Sequence, residues 1–539
     1  MLFSGQSTMK RLSRLLAALC VLAVLACGRS KAPEATRTTL VRHLIGDPAS
    51  LDPTTSTDEP GVLVWEMLFR PLVGVDGQRR PVPGLAASWT MSPDGLVYEF
   101  KLDPRYTWET GQPVTADDVR FTIEHVRDPK VAAPTWRAMF DDLAAIETPD
   151  PQTVRMRFSR PYAERMLTFT LPIVSAAAYE HAKDAAETVR HPVGSGPYRL
   201  EAWETNQKLK IVRRDGPGNA DALYDEVVFR VIPDGSVRYQ AGLRGELDEF
   251  RLSRDQRKKA EAAPEYTARF RTLKVPSFLE VLLIWNCRNP FLADARVRRA
   301  LARSWPRAET GKRLYQPEGA AFVTGPYPPD APENPPGLEP PKFDPAESAR
   351  LLDEAGWKIG PGGIRRKGAL KASIEMIYPA GSPIYVEIGE IFRQAYEKVG
   401  VELVLRALDW SAFNARAEKG ECDVQFASRV WVPPNLDPYP YYGSSQFAPG
   451  GQNQGFYSNA EADRVMEQAH RELDPGKRLE LYRQVSRIFV DDPPADFLWS
   501  ANQYWAMAKR VEDVEVTPLG LFHFLKGPLG WRPASSASR

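Results

Sequence analysis

Residues 83–100 read PGLAASWTMSPDGLVYEF, and the pattern at the end of this stretch returns elsewhere in the chain. From Val97 to Leu102 apolar and polar side chains alternate, which predicts a β-strand with one buried face. The segment from Val154 to Phe158 alternates in the same way. Denser apolar runs from Val227 to Val231 and from Val281 to Trp285 predict central strands.

Helices alternate with these strands. Asp344-Pro345-Ala346-Glu347 has the order of an N-cap, a first-turn proline and a capping-box glutamate, and Gly356 predicts the end of that helix. Apolar residues with helical spacing run from Ile384 to Val399, and after Gly400 a strand begins at once with Val401. This succession predicts an α/β fold with partly parallel strands.

The N-terminal residues form an export signal. Three basic residues precede a wholly apolar run from Leu15 to Ala26, which is too short to span a bilayer comfortably. Cys27 follows in a Val-Leu-Ala-Cys-Gly sequence that resembles the lipobox of bacterial lipoproteins, whose cysteine carries the lipid. We expect residues 1–27 to be a signal peptide with lipobox and residues 28–39 to be a tether. The protein would then be exported and lipid-anchored to a bacterial membrane, facing the periplasm or cell exterior; a plain cleaved signal with an incidental cysteine is the alternative.

Net charge argues against nucleic-acid binding, and the cysteine content raises the question of a disulfide. The 539 residues carry a formal net charge of +1, so no basic excess exists to neutralise a nucleic-acid backbone. Beside Cys20 in the signal and Cys27, the chain has Cys287 and Cys422. In an oxidising compartment this pair is predicted to form a disulfide, with two buried free thiols as the alternative.

Catalytic and metal-binding motifs are missing from the sequence. None of the six histidines belongs to an HExxH motif or to an i, i+4 histidine pair. Gly194-Ser195-Gly196 lacks the flanking glycine of a nucleophile elbow, and the cysteines lack zinc-ribbon spacing. We therefore expect no catalytic residue, no metal and no cofactor, and we expect that the protein is not an enzyme.

Seven motifs resemble those of the family 5 extracellular solute-binding proteins, the lipid-anchored or periplasmic receptors of peptide-type ABC importers. They follow one another in the family's order, from about residue 44 to residue 500. The motifs are LDP at 51–53, the opening stretch at 83–100, WETGQPVTADDV at 108–119, GSGPY at 194–198, PFLADARVRRAL at 290–301, DPAESARLLDEAGW at 344–357 and YSNAEAD at 457–463.

The resemblance implies an α/β fold of the periplasmic-binding-protein type II-like kind, with two lobes around a hinged cleft and a third subdomain inserted in the first lobe. It implies a monomeric substrate-binding protein that captures a peptide-like or other small polar solute and delivers it to the permease subunits of an ABC importer. The expected divisions are residues 40–75, 190–280 and 497–532 for lobe I, 76–189 for the inserted subdomain, 281–496 for lobe II and 533–539 for a disordered tail.

Two other functions remain open at this stage. A diverged receptor-fold lipoprotein could serve signalling or surface attachment, because such a protein keeps the fold. An exported hydrolase is disfavoured by the missing nucleophile–base arrangement. The proline-rich segment 325–345 is predicted to cross the surface of one lobe in an extended form.

The resemblance also implies site residues. The family's specificity region aligns with residues 428–442, where Trp431 is expected to wall the cleft and Arg429 to pair with a ligand carboxylate. Residues 54–56 would present hydroxyls and amides from the other lobe. A core tryptophan, a solvated arginine and ordinary turn chemistry are the alternatives. The candidate ligand-binding residues are Thr54, Thr55, Ser56, Ser428, Arg429, Trp431 and Asp437.

Two departures from the family pattern stand out. Peptide-binding relatives usually carry an aspartate three residues after the specificity tryptophan, where it receives the free amine of the peptide; this chain has Pro434. Asp437 is a candidate substitute, with a structural turn as its alternative role. We therefore expect unmodified di- and tripeptides to bind poorly. The second departure is Ser304-Trp305-Pro306-Arg307 after the RVRRAL motif, where Pro306 is predicted to end or kink the helix that carries this motif.

Overall fold

The computed structural model describes residues 38–534, apart from residues 57, 277–278, 315–320, 330, 382, 431–435, 449–450, 501, 523 and 526. The predicted signal peptide with Cys27, most of the tether, and residues 535–539 lie outside the described residues, as do Trp431 and Pro434. Within the described part of the chain, no helix has the length and apolar character needed to cross a membrane.

Lobe I consists of two sheets that share one apolar core, whose members run from Leu40 to Trp531. In order across the first sheet, the strands are Thr39–Leu44, Glu226–Val231, Lys208–Arg213 and Tyr198–Glu204. The second sheet has the order Glu249–Leu252, Gln503–Ala508 and Phe270–Val275. The helices are Glu59–Leu68, Gly235–Leu243, Arg254–Ala262 and Pro264–Arg269, with 3-10 turns at Pro217–Asn219 and Pro528–Gly530 and a small strand pair Val511–Glu512 and Arg532–Pro533.

The inserted subdomain has its own antiparallel sheet and core. Its strands are, in order, Ala86–Met91, Val97–Leu102, Thr153–Phe158 and Leu143–Asp150, preceded by the hairpin Val73–Val75 and Pro81–Pro83. The alternation predicted from Val97 to Leu102 is confirmed, because Tyr98, Phe100 and Leu102 are buried in this core. The helices are Ala116–Arg127, Pro134–Met139, Arg165–Thr168, Ala176–His181 and Ala185–Arg190.

Lobe II is built on a six-stranded mixed sheet with the order Ala321–Phe322, Ala495–Ser500, Leu279–Trp285, Val424–Val430, Ser373–Pro379 and Glu402–Leu408. The third strand is central, as predicted: Leu283 and Trp285 belong to one core and Leu282 and Ile284 to another. A strand buried on both faces reads as a continuous apolar run. The helices are Ala295–Arg303, Arg307–Leu314, Pro345–Glu354, Pro383–Lys398, Trp410–Lys419, Tyr439–Tyr442, Ala460–Arg471 and Pro475–Asp491, with 3-10 turns at Pro361–Gly363 and Ser444–Gln446 and a small sheet of Lys358–Ile359, Arg365–Lys367 and Leu370–Lys371.

Helix ends follow the local sequence signals. The Glu347 N–H donates to Asp344 Oδ1 at 2.9 Å, and the helix is followed by Gly356 with φ of 86°. The break predicted at Pro306 is also confirmed, because one helix ends at Arg303 and the next begins at Arg307.

Three predicted boundaries change in the structure. The strand Ala495–Ser500 pairs within the lobe II sheet, so the division after residue 496 cuts through a strand. Thr38, which the sequence assigns to the tether, donates its N–H to Asp225 Oδ2 at 2.8 Å and belongs to lobe I. The Ala534 N–H donates to the Arg510 carbonyl at 2.8 Å, so the chain is hydrogen-bonded two residues into the predicted disordered tail.

The proline-rich segment 325–345 crosses the surface of the helix Pro475–Asp491, as predicted. The Tyr327 ring lies 5.8 Å from the Tyr482 ring, centroid to centroid, and Arg483 donates from Nε to a carbonyl of the segment at 2.9 Å. This segment, called the strap below, is therefore part of lobe II.

The predicted disulfide is absent, because Cys287 and Cys422 are both free thiols. Trp285 pairs with Val424, so Cys287 lies two residues after the end of one strand and Cys422 lies two residues before the start of its antiparallel partner. There the Cys287 N–H donates to the Gly455 carbonyl at 2.8 Å, which takes the chain out of the ladder. Burial raises the pKa of Cys287 to about 11 and that of Cys422 to about 12, which keeps both thiols protonated at neutral pH.

Candidate functional site

The carboxyl ends of the lobe II strands define one edge of that sheet. Ser373–Pro379 lies parallel to both Glu402–Leu408 and Val424–Val430, so the three strands end on the same side. Leu279–Trp285 is antiparallel to its neighbours and begins at this edge, where Ala495–Ser500 ends. In open α/β sheets, ligands bind outside the carboxyl ends of the strands.

The same edge leads into lobe I through two crossing segments. Glu280 is paired with Ser500 in the lobe II sheet, and Val275 is paired with Gln503 in the lobe I sheet. The chain therefore passes between the lobes twice, between Val275 and Leu279 and between Ser500 and Gln503, and residues 277, 278 and 501 lie outside the described residues. Two short adjacent crossings form a hinge, because few backbone angles have to change when the lobes rotate.

Lobe I turns its own strand ends toward the hinge. Leu252 is paired with Tyr504, next to the crossing, so the strand Glu249–Leu252 ends there. One residue earlier, Arg251 makes an ion pair with Glu59 at the start of the first helix. Residues 51–56, which include the predicted lobe I residues, precede that helix in the chain.

Residues 54–56 make mostly local hydrogen bonds. Thr54 is buried, and its N–H and Oγ1 donate to Asp52 Oδ1 at 2.9 and 2.6 Å. Ser56 Oγ donates to Asp58 Oδ1 at 3.4 Å. Thr55 is half-exposed, and its N–H donates to the Asp52 carbonyl at 3.3 Å. These bonds are the turn chemistry that the sequence left as the alternative, and a ligand contact by these residues stays a prediction.

On the lobe II side, Ser428 is exposed at the strand-end edge. Tyr385 donates from its hydroxyl to Ser428 Oγ at 3.3 Å, and its ring packs edge-on against Phe426 with centroids 4.8 Å apart. Tyr385 is not among the site residues predicted from the sequence. Its position in the first turn of the helix that follows a parallel strand could have identified it, because these connections line the ligand crevice.

Glu280 is a second residue at this edge that the sequence did not predict. It is only 4% exposed and lies opposite Arg429 and Ser500 in the sheet register. The apolar run that follows, from Val281 to Trp285, concealed it, because that run marks a core strand and not a site. The register thus brings a carboxylate-bearing residue beside the arginine that the family resemblance selects.

Asp437 occupies a structural position. It is 3% exposed; its Oδ1 accepts from the Tyr439 N–H at 3.0 Å, and its Oδ2 lies 2.7 Å from His470 Nδ1. The His470 ring is stacked on Tyr162 of the inserted subdomain, with centroids 4.4 Å apart. Asp437 therefore anchors the end of the predicted specificity segment to a lobe II helix.

Two further concave regions lie away from the strand-end edges. A crevice of about 310 Å³ between lobe I and the inserted subdomain is lined by Phe69, Tyr179 and His191, among others. An open groove of about 1080 Å³ lies between the inserted subdomain and the helices Ala460–Arg471 and Pro475–Asp491. Among the described residues, no group of three or more His, Cys, Asp or Glu side chains is arranged to hold a metal ion.

Two lobes with facing strand ends, joined by two crossing segments, define a two-lobe solute-binding protein. The model of the bacterial extracellular solute-binding proteins, family 5 Middle, matches residues 80–453, which is more than half of the chain. The chain belongs to this family, and membership of an extracellular family indicates that it is exported.

The chain is similar over most of its length to known members. It is 26% identical over 502 residues to the oligopeptide-binding protein AppA of Bacillus subtilis, with 89% of each chain covered. It is 26% identical over 530 residues to the di/tripeptide-binding protein 1 of Pseudomonas aeruginosa, covering 92% of this chain and 95% of the relative. Among solved structures, HbpA2 from Haemophilus parasuis superposes with a TM-score of 0.79 at 22% identity, covering 92% of this chain and 100% of the other. The predicted fold class and the transport-receptor interpretation are confirmed.

Proposed function

We propose that the chain captures a peptide-like or other small polar solute between its lobes and hands it to the permease subunits of an ABC importer, without chemical change to the solute. The arrangement that supports this proposal is the pair of strand-end edges on either side of a two-segment hinge. A ligand held by both edges binds the closed arrangement better than the open one, so it raises the closed population. The permease would then recognise the closed form.

The ligand class follows from the missing amine clamp. A carboxylate that meets an ammonium group in a closed cleft forms a desolvated ion pair, and removal of one partner costs roughly 2–5 kcal/mol. Proline at 434 has no side-chain acceptor. Asp437 supports the same expectation, because both of its oxygens already have partners within the protein. We therefore favour solutes without a free α-amine, or peptides held by other contacts.

The test has two stages. Native mass spectrometry of the purified protein should first identify a small molecule that co-purifies with it. Isothermal titration should then compare small peptides with their N-acetylated forms, and we expect acetylation to leave affinity within about threefold, because no acid binds the amine. Submicromolar binding that acetylation abolishes would contradict the amine argument. Absence of binding to any co-purifying molecule or peptide would contradict solute capture.

We further propose that a lipid on Cys27 anchors the protein and that it works as a monomer. The basic, apolar, small-residue, cysteine order of the N-terminal residues supports the anchor. Radiolabelled fatty acid should enter the wild-type protein and not the Cys27→Ser variant, which should leave the membrane fraction. Equal labelling of both proteins would refute the anchor.

A further inference from the structure

The inserted subdomain is firmly attached to lobe I. Arg214 of lobe I is 9% exposed and donates from Nη2 to the Thr107 carbonyl of the subdomain at 3.0 Å. The Glu109 N–H of the subdomain donates to the Gly194 carbonyl of lobe I at 3.0 Å. Because buried polar groups pair these two parts, the subdomain moves with lobe I when the lobes rotate. Any contact that it makes with lobe II therefore spans the cleft.

Such a contact begins at the tip of the hairpin that precedes the subdomain sheet. Arg79 donates from Nη2 to Glu333 Oε1 of the strap at 2.6 Å, and the side chains are 23% and 7% exposed. Arg79 has φ of 66°, in the left-handed region that residues other than glycine seldom adopt. A constrained backbone thus presents a cation to a buried carboxylate on the opposite lobe.

A second ion pair has the opposite polarity. Glu164 Oε1 of the subdomain lies 3.1 Å from Arg478 Nε of lobe II, and both side chains are largely buried. Burial raises the pKa of Glu164, while Arg478 and Arg79 act in the other direction. Next to this pair, the Ala163 N–H donates to the His470 carbonyl at 2.8 Å. A cation and an anion of the subdomain therefore meet an anion and a cation of lobe II, which defines one relative orientation.

The third contact connects the subdomain with the predicted specificity segment of lobe II. The Tyr162 ring of the subdomain is stacked on His470, whose Nδ1 lies 2.7 Å from Asp437. Asp437 belongs to the predicted specificity segment, residues 428–442. The subdomain is thus connected to that segment through one histidine.

We propose that the inserted subdomain is a latch that docks on lobe II when the cleft closes. This docking stabilises the closed arrangement whether or not a ligand is bound. The docking residues are Arg79, Tyr162, Ala163 and Glu164 on the subdomain and Glu333, Asp437, His470 and Arg478 on lobe II. The latch residues do not contact the solute. They set the fraction of closed molecules, and ligand affinity scales with that fraction. Within the latch, Asp437 is a positioning residue, because it holds the specificity segment against the docked histidine.

The test traps the closed arrangement by cross-linking and requires no ligand. Asp94→Cys and Lys477→Cys place one thiol on each wall of the open groove beside the latch. A short bis-maleimide then links them at a rate proportional to the closed fraction. Burial raises the pKa of Cys287 and of Cys422, which slows the reaction of both thiols with maleimide. All proteins carry Cys27→Ser.

Charge reversal supplies the variants. Glu164→Arg and Arg478→Glu should each slow cross-linking about threefold to tenfold, the range for reversing one partner of a partly covered ion pair. The cross-linking rate of the double variant should return to within about twofold of the parent rate. Arg350→Glu is the matched control, because it reverses an exposed charge of the same lobe that forms ion pairs with Glu347 and Glu354 of its own helix. We expect this control substitution to leave the cross-linking rate unchanged.

Two results would overturn the latch. One is an equal cross-linking rate in the parent and in both single variants, with thermal unfolding unchanged. The other is a double variant that stays as slow as the singles, since the rate would then not depend on this pair. Tyr162→Ala gives an independent reading: it keeps every latch charge and should also slow cross-linking, whereas an unchanged rate would count against the stacked contact.

Discussion

At the scale of single residues, lobe II depends on a buried ion pair beside Pro306. Arg307 Nη2 lies 2.6 Å from Asp496 Oδ1, and Trp305 Nε1 donates to Asp496 Oδ2 at 3.0 Å. Both charged side chains are at most 4% exposed. Burial raises the pKa of Asp496, with Arg307 acting in the opposite direction. The departure from the family sequence at residues 304–307 therefore builds a polar centre inside the lobe.

Removal of one partner of this pair should be costly. Asp496→Ala leaves the Arg307 guanidinium buried without its anion, and we expect the free energy of unfolding to fall by about 3–5 kcal/mol. The Arg307→Met/Asp496→Leu double variant removes both charges, so its free energy of unfolding should fall much less. Urea denaturation followed by circular dichroism measures both, and a double variant as unstable as the single one would contradict this account.

A second buried pair makes lobe I sensitive to acid. Arg42 Nε lies 3.4 Å from Glu249 Oε2, both side chains are fully buried, and His43 is adjacent. Burial acts to raise the pKa of Glu249, but Arg42 and His43 outweigh it and hold the pKa below its ordinary value of 4.5. A depressed folded-state pKa gives stability that is fully present above pH 4.5 and is lost as the pH falls toward the folded-state value.

The Glu249→Gln variant should lack this part of the acid sensitivity. It should be less stable than the wild type at pH 7, because Arg42 loses its anion, and its urea midpoint should fall less between about pH 5 and pH 3. Glu124→Gln, at an exposed position, should follow the wild-type curve. Parallel curves for wild type and Glu249→Gln would show that Glu249 does not contribute.

At the scale of elements, Asn459 caps the helix that carries His470. Its Oδ1 accepts from the N–H groups of Glu461 and Ala462, each at 3.0 Å, and its Nδ2 donates to Asp492 Oδ2 at 2.7 Å. One side chain thus begins a helix and ties it to the end of the next. The asparagine of the YSNAEAD motif therefore has a structural role.

Loss of this cap should destabilise lobe II. We expect Asn459→Ala to lower the free energy of unfolding by about 1–2 kcal/mol. Asn459→Asp keeps the cap acceptor but sets a carboxylate beside Asp492. The variant should therefore be less stable than the wild type at pH 7, and its stability should approach that of the wild type as the pH falls. Chemical denaturation at the two pH values measures this, and equal stability of all three proteins would refute the capping role.

At the scale of the whole molecule, ligand binding should close the hinge. The two passages between the lobes, after Val275 and after Ser500, are short, and we expect rotation of the lobes there to bring the strand-end edges together. Small-angle scattering with and without the solute identified by mass spectrometry should give a smaller radius of gyration in the bound state. An unchanged radius at saturation would contradict closure.

The sequence by itself determined the family, the α/β class and the ends of many elements. These features depend on short-range physics: strand alternation at Val97–Leu102, the cap at Asp344 and the break at Pro306 each involve neighbours within one element. The strap was also predictable, because a run of prolines excludes both helix and central strand.

Only the tertiary structure decided which distant residues meet. Asp437 and His470 are 33 residues apart, and Tyr162 reaches them from another part of the chain, so no local pattern could predict that the candidate ligand acid is an anchor. The free thiols have the same origin, because a backbone hydrogen bond to Gly455 takes Cys287 out of the ladder formed with the strand that begins after Cys422. Local sequence determines elements through nearby atoms, whereas a site depends on how the elements pack.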